Sequence, residues 1–281
     1  MDNFEQILSM NYFLSRSIFI KALSIAVVVL AIKKGAIDFL YYHGIHFTEL
    51  IELSDITIVF TGAFFVFGLL LAATMTDFKE SEKIPGEVAA NLEAIKDWVY
   101  LAFKAPRTKG LPLSDEPLDK LMLRNELLRL TDGIIVWLYS NKKDSKEIFP
   151  LLRSGNEIAY YFAERGVDKE AIKGIQENTN VMRKQLTRAY SISRNNFIKP
   201  AYTLLKSILV IVFLLLISTK FKTVTADWFV TTAISFLLSY LYLLIVGLDD
   251  PFNISNGDTE VDLKPIDRLK QRIENEFLIN E

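Results

Sequence analysis

Two stretches of this chain run for about twenty residues each without a charge, and they decide most of what it can fold into. Ile56–Met75 (ITIVFTGAFFVFGLLLAATM) and Trp228–Leu248 (WFVTTAISFLLSYLYLLIVGL) are each long enough to carry a helix across roughly 30 Å of hydrocarbon. In lipid every backbone donor and acceptor must be satisfied within its own segment, so such runs become helices. Tyr202–Thr219 (YTLLKSILVIVFLLLIST) is a third, interrupted only by Lys206 near one end, from where the ammonium reaches the headgroups. Ser17–Ile32 (SIFIKALSIAVVVLAI) is shorter, holds Lys21 about one turn inside, and ends at Lys33-Lys34. It admits three readings: a span, an interfacial helix or a signal-peptide core. The acidic Asp2 and Glu5, and the lack of a small-residue cleavage site before Lys33, argue against the signal peptide. We read it as a fourth span.

Lysine and arginine near the span ends choose the orientation. Lys33, Lys34, Lys220 and Lys222 mark one side of the membrane. Arg16, Lys79, Lys83, Arg188, Arg194, Lys199, Lys264, Arg268 and Lys270 mark the other. The excess predicts a multi-pass protein of the cytoplasmic (inner) membrane, with both termini and the 78–200 block in the cytoplasm. Composition agrees: 51% of residues are apolar, yet 23% are charged, and the charges collect between the spans and in the tail. The net charge of −2 offers no basic field, so no nucleic-acid partner is expected. Without cysteine there is no disulfide, thiolate nucleophile or Cys-ligated zinc.

The chain divides into an N-terminal helix with the first two spans (1–77), a cytosolic helical domain (78–200), the third and fourth spans (201–250) and a cytosolic tail (251–281). Within the block, Pro85-Gly86 is suited to open a helix reaching about Phe103, since proline fits a first turn. APRTKGLPLSDEP (105–117), with three prolines and a glycine, then reads as a loop. Helices are expected at about Leu118–Ser140, Ser145–Arg165 and Asp168–Phe197, with Asp168 capping the last and Gly166 closing the one before. On the first of these three, Leu121, Arg124, Asn125, Leu128, Asp132 and Ile135 alternate apolar and polar faces. Two of the helices should pack as an antiparallel pair. In the tail, Ile266, Leu269, Ile273 and Phe277 share one helical face, with Asp267, Lys270, Arg272 and Glu274 opposite, so an amphipathic helix should dock at Pro265–Phe277. The second span continues through Thr76-Asp77-Phe78-Lys79 without a breaker, which suggests a rigid link between membrane and cytosolic parts.

Chemistry is scarce. The two histidines, His43 and His46, form HGIH in a short extracytoplasmic loop with Glu49, Glu52 and Asp55 nearby; an interfacial loop explains them better than a metal site. The cytosolic block has no histidine to activate a nucleophile, and there is no Gly-rich phosphate loop. We expect no enzyme, no cofactor and no bound metal. The conspicuous feature is the second span, where Phe60, Phe64, Phe67 and Leu71 fall at i, i+4, i+7 and i+11, with Gly62 and Gly68 allowing close approach. One reading is a packing stripe. The other is a hydrophobic constriction: copies around an axis would stack rings of Phe that gate by dewetting. Four helices in one subunit leave no room for an axial channel once packed, so a pore requires a ring of identical subunits.

Thr61–Ala89 (TGAFFVFGLLLAATMTDFKESEKIPGEVA), the closing segment Gly247–Phe252 (GLDDPF), and the order two spans, helical block, two spans resemble the bestrophins, and most closely their uncharacterised prokaryotic relatives. The resemblance implies an all-α membrane fold, with four transmembrane helices and a helical cytosolic domain inserted between the second and third. It implies a homo-oligomeric, pentameric ion channel that passes small ions, most of them anions, and is embedded in membrane lipid. It places Phe60, Phe64 and Gly68, or one register on Phe64, Phe67 and Leu71, at the pore neck. Asp249 and Asp250 fall where eukaryotic members hold calcium, although the longer acidic run of those members is absent here. The alternative from a different class is a non-conducting membrane scaffold or sensor whose cytosolic helices bind a partner.

Overall fold

The computed structural model describes residues 2–43, 53–104, 118–140, 143–194, 199–219, 221, 223–252 and 261–278. Among them the chain is all helical: α1 (Asp2–Tyr42), α2 (Leu53–Lys104), α3 (Lys120–Tyr139), α4 (Ser145–Glu164), α5 (Lys169–Arg194), α6 (Lys199–Ser218), α7 (Val224–Leu248) and α8 (Lys264–Leu278). His46, Glu49, Glu52 and the expected loop at 105–117 lie outside the described residues. Two compact units form. The first gathers Met1–Phe78 and Asn196–Asp250; the second gathers Lys79–Asn195 with Pro251–Ser255 and Glu260–Glu281.

In the first unit, α2, α6 and α7 are the described helices long and apolar enough to cross a membrane. Their shared core brings Ile56, Phe60, Ala63 and Phe67 of α2 against Leu205, Val212 and Leu216 of α6 and Leu238 and Ile245 of α7. α1 contains the Ser17–Ile32 run as unbroken helix and lies along α7 and α6. Fully buried Ala22 and Ala26 give it a narrow face. Phe19 meets Phe236 edge-on with ring centroids 5.1 Å apart. At the other end of the same seam Lys33 pairs with Asp227. The outer surface remains apolar, with Ile58, Phe65 and Phe229 all largely exposed.

The second unit has its own core, drawn from α2 beyond Lys79 and from α3, α4, α5 and α8. Asp119 caps α3 by accepting from the Met122 N–H at 2.9 Å, and Asp144 caps α4 through the Lys146 N–H at 2.9 Å. α4 stops as expected at Gly166, whose φ of 65° suits a residue without Cβ. There Gly166 N–H donates to Ala163 and Val167 N–H to Phe162, the paired bonds of a Schellman turn. The reversal sends α5 back along α4, and α5 begins one residue after Asp168. The tail helix forms and docks here, with Ile266, Leu269 and Ile273 fully buried.

One expectation is corrected. Pro85-Gly86 does not open a helix: α2 runs straight through it. An interior proline forfeits one i→i−4 bond, but Ile84, Pro85 and Val88 are all buried, and that packing carries the helix across the defect. On α3, Leu128 and Ile135 pack half-buried against the core, at the edge of its fully buried face. Leu121 is exposed, whereas Leu123, Leu127, Leu130, Ile134 and Trp137 are buried. Both sets have helical spacing, and the two are rotated by less than one turn, so periodicity alone did not choose between them.

Candidate functional site

The residues singled out on the second span lie on different faces of α2. Phe67 is fully buried and Phe60 nearly so, both against α6 and α7. Phe64 and Leu71 are half-buried at the flank of that cluster. Gly68 faces away, and a Cβ built there would meet nothing within 4 Å. The open side also carries Thr61, Leu69 and Ala72, and it carries Phe65, which is 66% exposed. Sequence reasoning passed over Phe65. It lies one residue past Phe64, off the regular spacing, on the side that Thr61, Gly68 and Ala72 share.

Hydroxyls on α2 are tied to the helix itself. Thr61 Oγ1 donates to the Thr57 carbonyl at 2.9 Å and Thr76 Oγ1 to Ala72 at 3.0 Å. Such bonds relieve a hydroxyl of the need for another partner in an apolar setting.

Two polar pairs sit at opposite ends of α7. At its start, the Lys33 ammonium is 1% exposed, pairs with Asp227, donates to Thr231 Oγ1 at 3.1 Å and lies 4.7 Å from the Phe221 ring centroid. An ammonium this buried is tolerable only when paired and hydrogen-bonded. At its end, Asp249 caps the helix by donating its N–H to Ile245, and its Oδ2 accepts from the Tyr202 hydroxyl at 2.6 Å. Asp250 beside it is half-buried. Among the described residues no group of three or more His, Cys, Asp or Glu stands close enough to hold a metal. His43 is described, with Nδ1 2.9 Å from the Phe39 carbonyl.

In the second unit, Arg188 forks onto Glu80 at 2.8 and 2.6 Å, and hydrogen bonding to this guanidinium holds the Glu80 carboxyl below its ordinary range. Lys270 of α8 reaches Asp132 of α3 at 2.8 Å, and the Tyr139 hydroxyl meets Asp267 at 3.1 Å.

No protein-family profile and no curated protein matches this chain. Solved structures do. A mutant of a bacterial bestrophin homologue from Klebsiella pneumoniae aligns with TM-score 0.66 and 14% identity, covering 92% of this chain and 99% of that one. The bestrophin homologue from the same organism phased on zinc gives 0.66 and 14%, over 92% and 97%. A point variant of a crystallised membrane protein gives 0.66 and 14%, over 93% and 97%. Membrane-length apolar helices, a separate helical unit and near end-to-end alignment agree: this chain has the fold of bacterial bestrophin homologues.

Proposed function

We propose that the protein is one subunit of an oligomeric, bestrophin-like ion channel in the cytoplasmic membrane. The observation that carries this reading is the alignment with bacterial bestrophin homologues over more than nine-tenths of both chains, which spans the apolar and polar units alike. Five subunits close a ring, α1 crosses beside α7 as the fourth span, and both termini and the second unit lie in the cytoplasm. The path conducts small ions, chiefly anions, past a hydrophobic neck on α2.

Burial narrows the neck to part of the predicted stripe. Phe60 and Phe67 are spent on packing within the subunit, so they support the wall and do not line an axis. Phe64 remains half open and Gly68 fully open, and Phe65 adds an exposed ring one residue on. Rings of phenyl groups offer no hydrogen bonds to an ion's hydration shell, so an empty neck dewets and closes. Asp249 and Asp250 end the span as an acidic pair, the candidate ion site outside the neck, with Asp249 oriented by Tyr202.

Single-channel recording from the purified full chain in planar bilayers tests the reading. Wild type should conduct, and Phe64→Ala or Phe65→Ala should raise open probability or make the current constitutive, with the oligomer intact by mass measurement. A monomer by mass would end the pore proposal. Intact oligomers silent in wild type and both variants would favour a non-conducting scaffold.

A further inference from the structure

The second unit contains a groove that the channel reading does not use. It holds about 600 Å³ between the post-Pro85 part of α2 and the tail helix α8. Its floor is Gly86, Ala89 and Ala90, at i, i+3 and i+4 on one face of α2, where the absence of long side chains leaves depth. A Cβ on Gly86 would meet nothing within 4 Å. Facing this floor, α8 presents Arg268 and Arg272, one turn apart, together with Gln271.

The charges do not balance. Arg272 is matched by Glu93, with nitrogen–oxygen distances of 3.1 and 3.2 Å. Among the described residues Arg268 has no ion pair or hydrogen-bond partner, and of these residues it leaves one guanidinium unmatched at the groove. A planar guanidinium recognises phosphate and carboxylate by paired N–H donors. Pockets of several hundred Å³ with an apolar floor and few converging polar groups are typical of small-molecule sites. We propose that this groove binds a small organic oxyanion, its phosphate or carboxylate held by Arg268 and Gln271 and its apolar body lying on Gly86, Ala89 and Ala90. Because α8 forms one wall, occupancy would tighten the tail against the unit.

The test is calorimetric titration of the purified full-length oligomer with phenyl phosphate, benzoate and inorganic phosphate. Phenyl phosphate and benzoate separate the two headgroup chemistries, and inorganic phosphate isolates the contribution of the floor. Saturable binding of at least one ring-bearing anion, tighter than inorganic phosphate, is expected. Arg268→Gln, on an exposed side chain, should weaken it about tenfold or more, as for loss of a charge-assisted hydrogen bond. Gly86→Leu should block the ring-bearing anions by filling the floor while leaving the oligomer intact. No saturable binding, or binding that neither variant changes, overturns the proposal.

Discussion

Asp227→Ala should be much costlier than Lys33→Met, although the two residues form one ion pair. The asymmetry follows from where each charge is left. Removing Asp227 strands an ammonium that is 1% exposed, with the Thr231 hydroxyl and the Phe221 ring beside it. Breaking a buried pair in this way costs about 3–5 kcal/mol. Removing Lys33 leaves a carboxylate that is 18% exposed and sits in the first turn of α7, where the helix dipole favours negative charge. Water and dipole together hold that cost to about 1–2 kcal/mol, the penalty for an imperfectly paired polar group. The double variant Lys33→Met/Asp227→Ala removes both charges, so its loss should fall at least about 2 kcal/mol short of the sum of the singles, the sign of direct coupling. At roughly 2 °C per kcal/mol for a chain of this size, Asp227→Ala should unfold about 6 °C or more below wild type. Thermal unfolding of the four proteins in one detergent measures all of this. Equal losses from the two single variants, or additivity within about 0.5 kcal/mol, would refute the reasoning.

Two further outcomes concern the second unit. A Cβ on Gly174 would lie 2.3 Å from Cε2 and 2.4 Å from Nε1 of the rigid Trp98 indole, so Gly174→Ala should destabilise by about 1–3 kcal/mol, whereas Gly86→Ala, with open space around it, should gain about 0.5–1 kcal/mol; denaturant unfolding distinguishes the signs. Glu80 has its folded pKa depressed by Arg188, so the pair's contribution is present above the unfolded carboxylate value and is lost as pH falls through the folded one; the small stability gap between wild type and Arg188→Gln should therefore close in acid, below about pH 4.

The fold class was legible because its signals are long. Twenty charge-free residues leave the backbone no partner but itself, and Ile56–Met75 and Trp228–Leu248 accordingly lie inside α2 and α7. The tail helix was legible for a related reason: Ile266, Leu269 and Ile273 are flanked by charges all round, so only one face had a core to join. Where apolar residues are abundant, that contrast disappears. On α3, a leucine or isoleucine occupies nearly every turn of two adjacent faces, and the choice between Leu121–Leu128–Ile135 and Leu123–Leu127–Leu130–Ile134 belonged to α4, α5 and α8. The same ambiguity governs the candidate neck. The i, i+4, i+7, i+11 spacing of Phe60, Phe64, Phe67 and Leu71 is the period of a helix seam, and α6 and α7 take up two of its members outright. The side of α2 that this packing leaves outside includes Thr61, Phe65, Gly68 and Ala72. On such a span regular spacing names a seam, and which of its faces turns outward is decided by what α6 and α7 cover.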